Sequence, residues 1–139
     1  MRFMILRKAD ARTEADILPN AALLAAMGQY IQAMAQADVL LSAEGLRTSS
    51  LGARVNFVNG NATVTRGPFA APGSLLAGYC VIQVPSLDHA IGWVKRWPTL
   101  DGDGTAEIEI RQLFETDDFG AELTPEQREA EQCLRDRVA

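Results

Sequence analysis

The residues best suited to chemistry are an arginine and a glutamate that each stand beside a glycine. Arg66 precedes Gly67, and its planar guanidinium, helped by backbone amides of the same loop, can bind an anionic group. A surface arginine paired with a nearby carboxylate fits the same pattern. Glu44 precedes Gly45 and can act as a general base, or it can simply accept hydrogen bonds from loop amides. The two residues are therefore candidates for a site that binds a small anionic ligand, and their purely structural roles stay open beside it.

The loop after Arg66 supplies further candidates. Residues 65–79 contain three glycines and two prolines, which favour turns over helix. A constrained loop between two strands is a typical binding surface, so Gly67, Pro68 and Phe69 are predicted ligand contacts. Arg111 lies on the same side of a later strand as Glu107 and Glu109. This row either lines a cavity between subunits, which makes Arg111 a further ligand contact, or forms solvated ion pairs.

Several other chemistries lack the residues that they need. His89 is the sole histidine, and Cys80 and Cys133 form no CxxC pair, so neither a metal nor a cofactor is expected. There is no nucleophile elbow, P-loop or dinucleotide fingerprint. The net charge of −5 argues against nucleic-acid binding. No segment approaches the ~20 apolar residues of a membrane span, so we expect no membrane association and a cytoplasmic location.

The patterning predicts one soluble domain over residues 1–139, in which residues 115–139 form a C-terminal extension. A polar loop is predicted over 8–19, and Asn59-Gly60 predicts a tight hairpin turn. Helices are predicted after the capping residues Asn20, Ser86 and Thr124. The predicted strands cover 3–7, 39–43, 53–58, 61–65, 79–84 and 107–114.

This order of elements predicts an α+β fold of the ferredoxin-like type, with an inserted β-hairpin and a C-terminal helix. Two helices can cover only one face of the sheet. The other face carries a mixture of polar and apolar groups, so we expect it to pair with a second copy. Such a homodimer would enclose a partly polar cavity between the two sheets.

Eight segments stand out in order along the chain: residues 1–4, 8–10, 40–46, 64–70, 77–79, 91–96, 107–111 and 119–125. Together they resemble the YCII-related proteins, specifically the branch known for a DGPF motif. The resemblance implies a dimeric α+β barrel without a firmly assigned reaction. Some members look associated with extracytoplasmic-function sigma factors. Others have been proposed to be enzymes that use a histidine on the first helix and an aspartate.

The chain departs from that family pattern at two points. Arg66 replaces the aspartate of the motif, and Tyr30 stands roughly where the first helix would carry its histidine. Tyr30 is either a ligand contact or, as its aromatic ring favours, part of the core. A His/Asp mechanism therefore does not transfer. The first hypothesis is a homodimeric small-molecule-binding or accessory protein. The alternatives are an enzyme acting on a small anionic or carbonyl metabolite, with Glu44 as base and Arg66 as anion clamp, and an interaction module in sigma-factor regulation.

Overall fold

The computed structural model describes residues 1–138 of the chain as a mixture of strands and helices. The elements are β1 (Arg2–Lys8), α1 (Ala11–Glu14), α2 (Ala21–Gln36), β2 (Leu40–Gly45), β3 (Ala53–Val58), β4 (Asn61–Arg66), β5 (Leu76–Gln83), α3 (Leu87–Val94), β6 (Ile108–Gln112) and α4 (Pro125–Val138). The predicted α+β class and the order of the strands and longer helices are confirmed.

Four strands form an antiparallel sheet in the order β2-β5-β1-β6. With α2 and α3 as the two connecting helices, this is the β-α-β-β-α-β arrangement of ferredoxin-like folds. The hairpin β3–β4 is inserted between β2 and β5 and forms a separate two-stranded sheet. Asn59 and Gly60 at its turn have φ of 49° and 79°, as the Asn-Gly signal predicts.

One face of the sheet carries the core. Every second residue of β1 and β5 is buried there against α2 and α3, because side chains of a strand alternate between faces. The core residues are Phe3, Ile5, Tyr30, Met34, Cys80, Ile82, Val84 and Ala90. The helices are fixed by their caps: Asn20 Oδ1 accepts from the Leu23 amide at 2.9 Å, and Ser86 Oγ from the His89 amide at 3.3 Å.

The opposite face of the sheet, which we call the outer face, is only partly covered. Met4 and Leu6 of β1 alternate with the core residues and remain half-buried, as does Val81 of β5. Glu109 and Arg111 of β6 lie on this face too, since they pair with Leu6 and Met4. The prediction that both helices shield the same side is confirmed.

Two local predictions were wrong. The polar loop predicted over 8–19 contains the single turn α1, because Asp10 and Thr13 form a capping box at its start. The strand predicted to begin at Tyr79 begins at Leu76 instead. Its early part is held by β2, where Gly45 pairs with Gly78, and by the Leu46 amide, which donates to the Ala77 carbonyl at 2.8 Å.

Candidate functional site: a cleft on the helix side of the sheet

A cleft of about 540 Å³ lies between α2 and the adjoining ends of β1, β2 and β5. Its wall on α2 is apolar and consists of Leu23, Leu24, Met27 and Ile31. Ala43 and Cys80 face it from the sheet, because they pair with each other on the helix-covered side. The volume falls within the range of about 300–1,000 Å³ that is typical of small-molecule sites.

A buried ion pair closes one end of this cleft. Arg7 is only 6% exposed because it continues the inward-facing row of Phe3 and Ile5. Its Nε donates to Asp101 Oδ2 at 2.9 Å and its Nη2 to Asp101 Oδ1 at 2.7 Å. Nη2 also donates to Asp10 Oδ2 at 3.1 Å, and Nη1 donates to the Lys8 carbonyl. A buried guanidinium needs such partners, since an unpaired buried charge is strongly destabilising.

The carboxylates at this end are held in their ionised form. Burial by itself would raise the pKa of Asp101, but hydrogen bonds from Arg7 and Trp97 and the charge of Arg7 outweigh it, so the pKa falls below 3.8. The pKa of Asp10 is lowered in the same way: burial opposes the shift, and the amide of Thr13 and the Arg7 side chain overcome it. The Arg7 pKa is raised, chiefly by its hydrogen bond to Asp101. One positive charge therefore faces two negative charges.

The mouth of the cleft is apolar and crossed by two exposed ion pairs. Arg12 contacts Asp103 at 3.2 Å, and Arg47 contacts Asp16 at 3.1 Å. Around them stand five large apolar side chains, each at least 47% exposed: Ile17, Leu18, Leu24, Leu46 and Leu100. The three arginines that line the cleft, Arg7 included, each contact a carboxylate. An anionic ligand would have to compete with those carboxylates for every one of them.

Glu44, the candidate base, borders this cleft from β2. However, its neighbour Ala43 faces the helices, so alternation directs the Glu44 side chain to the outer face, beside Tyr79. The Glu44 side chain is exposed. Arg66, the candidate clamp, ends β4 on the hairpin opposite Ala53 and lines neither the cleft nor the hollow beside Phe69 described next. The fold of one protomer does not bring Glu44 and Arg66 together in the cleft.

The loop residues Gly67, Pro68 and Phe69 brace the base of the hairpin. The Gly67 amide donates to the Gly52 carbonyl at 2.9 Å, and the Phe69 amide donates to Ser49 Oγ at 3.0 Å. The Arg54 guanidinium lies 4.0 Å from the centre of the Phe69 ring. Phe69 also lines a second, shallower hollow of about 470 Å³ beside the hairpin. A ligand role for this loop stays a prediction.

Tyr30 and Arg111 lie apart from the cleft. Tyr30 is 6% exposed, donates its hydroxyl hydrogen to the Trp93 carbonyl at 2.9 Å and packs edge-on against Trp97. These contacts give Tyr30 a place in the core. Arg111 is exposed on the outer face, 3.6 Å from Glu109. A ligand role for Arg111 in a cavity between subunits stays a prediction.

Sequence reasoning missed the polar end of the cleft. Arg7, Asp10, Trp97 and Asp101 were not among the candidates, although one signal pointed to the first of them. Every second residue of strand β1 faces the core, and these residues are Phe3, Ile5 and Arg7. A charged residue therefore occupies an inward position. An inward arginine requires an acidic partner, but the sequence gives no means of choosing Asp101 from among the acidic residues.

Residues 1–138 hold no group of three or more histidine, cysteine or carboxylate side chains arranged to bind a metal ion. In that same part of the chain, every helix is too short or too polar to cross a bilayer.

Comparison with known proteins places the chain in a family. The sequence model of the YCII-related domain matches residues 1–114, and the protein therefore belongs to the YCII-related family. Among solved structures, the chain is similar to a 5-chloro-2-hydroxyhydroquinone dehydrochlorinase from Burkholderia phenoliruptrix AC1100, in complex with 2,5-dihydroxybenzoquinone. The identity is 15%, the TM-score is 0.44, and the match covers 83% of this chain and 96% of that one. No curated protein matches the sequence significantly.

Proposed function

We propose that this YCII-related protein binds a compact small molecule in the cleft beside α2. The main support for the proposal is that this cleft combines an apolar wall with a polar end whose side chains are held in place. Leu24, Met27 and Ile31 offer hydrophobic contact, and Asp10 and Asp101 offer carboxylate oxygens held in place by Arg7. A mostly apolar cavity with a few fixed polar groups is the usual form of a small-molecule site.

The charges at the cleft favour a particular class of ligand. Arg7, Arg12 and Arg47 already contact carboxylates, so a carboxylate or phosphate ligand would have to displace an internal partner. Asp10 remains partly exposed and can accept a further hydrogen bond. The ligand that fits best has an apolar body and a hydroxyl or amine donor. This differs from the anionic ligand that the sequence predicted around Arg66.

We also propose that the protein works as a homodimer. The outer face of the sheet leaves Met4, Leu6 and Val81 half-buried, and sheet-to-sheet pairing would remove them from water. The proposed ligand cleft lies on the other side of the sheet and needs no partner to form. It is therefore distinct from the cavity between sheets that the sequence predicted. We propose in addition that the dimer forms an α+β barrel and that the protein belongs to the DGPF branch of the family.

Binding can be tested with a thermal-shift panel on the wild-type protein, followed by titration of any hit. The panel pairs phenols, alcohols and amines with carboxylates and phosphates of matched size. We expect stabilisation by members of the first group. Leu24→Asp should then weaken the hit about tenfold or more, because it places a charge on the apolar wall.

Ala25→Asp is the matched control. It adds the same charge one residue along α2, at an exposed position that does not line the cleft. We expect it to leave affinity unchanged. An equal loss of affinity in both variants would show that the cleft is not the binding site. The same conclusion would follow if only carboxylates and phosphates bound and Leu24→Asp did not affect their binding.

A further inference from the structure

The hairpin β3–β4, residues 53–66, has one apolar face that residues 1–138 leave mostly exposed. Val55 pairs with Val64 and Phe57 pairs with Ala62, so all four side chains lie on the same side of the ribbon. Val55, Phe57 and Val64 are 50%, 71% and 60% exposed. We call this segment the arm. A lone two-stranded ribbon is marginally stable in water, so this face calls for a covering surface.

The base of the arm is firmly attached to the rest of the protomer. A Cβ on Gly67 would lie 1.7 Å from the Ser49 carbonyl oxygen, which shows how closely the two backbones approach. The Ser49 hydroxyl donates a hydrogen bond to the Glu14 carboxylate and accepts one from the Phe69 amide. Arg54 is stacked on Phe69. The arm therefore projects from the body as a braced element with a defined direction, and its apolar face is presented outward.

The charge of the arm region is opposite to that of the remaining chain. Residues 46–87 contain Arg47, Arg54 and Arg66 and no aspartate or glutamate. The rest of the chain holds the other ten lysines and arginines and all 18 acidic residues, a net charge of −8. Arg66 pairs with Ala53, at the base of the apolar face. A surface that complements the arm must be apolar with acidic groups nearby, and the body of this protein is itself strongly acidic.

We propose that the arm docks on a second copy of this chain, with Phe57 and Val64 buried against the partner and Arg66 placed among its acidic groups. The occupant is a second copy because the same chain supplies both a basic, apolar arm and an acidic body. The relation is reciprocal in a twofold dimer, so each copy both gives and receives an arm. This goes beyond the sheet-to-sheet pairing and beyond the ligand cleft proposed above.

The test is the dimer dissociation constant, measured by sedimentation velocity over the micromolar range. We expect the wild-type protein to dimerise and Phe57→Asp to weaken the dimer about 30-fold or more, since a central aromatic anchor would become charged. Asn56→Asp is the matched control. It adds the same charge to the same strand on the opposite face, beside Thr63, and should change the constant about threefold or less.

Phe57 is mostly exposed in the protomer, so its substitution should leave the fold intact, which circular dichroism will show. Amide hydrogen exchange gives a second measurement on unmodified protein: arm residues should become protected as concentration rises. A monomeric wild type, or a dimer equally insensitive to Phe57→Asp and Asn56→Asp, overturns the proposal. A dimer that is equally insensitive to both substitutions would contradict only the docking of the arm, and the proposed homodimer and ligand cleft would be unaffected. Arm protection that appears only with an added acidic protein would assign the arm to a different partner and also overturn it.

Discussion

Arg7 and Asp101 are 94 residues apart in the chain and meet in a two-point ion pair, with Nη2–Oδ1 at 2.7 Å and Nε–Oδ2 at 2.9 Å. The pair ties strand β1 to the turn that follows α3. It also shapes the polar end of the proposed ligand cleft. One contact thus joins the stability of the fold to the chemistry of the site.

Replacing Asp101 by asparagine should lower the free energy of unfolding by about 3 kcal/mol, because Arg7 would stay buried with its main counter-charge removed. Urea denaturation monitored by circular dichroism measures this change. The remaining Asp10 contact limits the loss. We expect the variant to fold, with a lower midpoint and an unchanged denaturant slope.

Asp103→Asn provides the comparison for that experiment. Asp103 also pairs with an arginine at the cleft, Arg12, but the two side chains are 83% and 61% exposed. Solvent-exposed pairs contribute little, so the change should stay below about 1 kcal/mol. An equal decrease in the free energy of unfolding in Asp101→Asn and Asp103→Asn would show that the burial of Arg7 does not determine how much its ion pair stabilises the fold.

Stability should fall in acid, and Asp101 should account for part of the fall. Its folded-state pKa lies below the ordinary 3.8, so the unfolded chain binds its proton more readily. The stabilisation is present above that ordinary value and is lost as pH drops through the folded pKa. Glu115, whose pKa is lowered mainly by its hydrogen bond from Arg2, acts in the same direction. The free energy of unfolding, measured between about pH 6 and about pH 2.5, should fall less steeply with decreasing pH in Asp101→Asn than in the wild type. Parallel curves for variant and wild type would contradict this.

The sequence predicted what depends on local signals. Asn59-Gly60 specified the hairpin turn, and Asn20 and Ser86 specified two helix starts. These features are set by residues a few positions apart, where backbone preference and side-chain period decide the outcome.

The candidate site was harder to predict because it depends on contacts distant in sequence. Arg7 and Asp101 can be matched only once β1 and the turn after α3 are placed. Reasoning from the glycine-rich loop instead favoured Arg66 as a ligand clamp. In the structure Gly67 has a packing role, since it lets the arm approach Ser49. A glycine that permits close backbone contact and one that cradles a ligand look the same in sequence.

That packing role predicts the effect of Gly67→Ala. The added Cβ would collide with the Ser49 carbonyl, a backbone atom that cannot rotate away, so we expect a loss of about 2 kcal/mol or more. Gly28→Ala is the contrasting case, because a Cβ there meets nothing within 4 Å and the residue lies within α2. It should raise stability by about 0.5–1 kcal/mol. Chemical denaturation of both variants tests the pair, and a neutral Gly67→Ala would show that the arm does not need this close approach.

The two cysteines should react at very different rates. Cys80 is buried beside the cleft, and burial raises the pKa of its thiol to about 11, whereas Cys133 is exposed on α4. At pH 8 only about one Cys80 thiol in a thousand would be ionised, and the reagent must also reach it. A chromogenic disulfide reagent should therefore titrate one thiol per native chain rapidly and the second only after denaturation. Cys133→Ser should abolish the rapid phase. A rapid phase that persists in Cys133→Ser would mean that the cleft opens far enough to admit the reagent, and its suppression by a bound ligand would then report occupancy of the cleft directly.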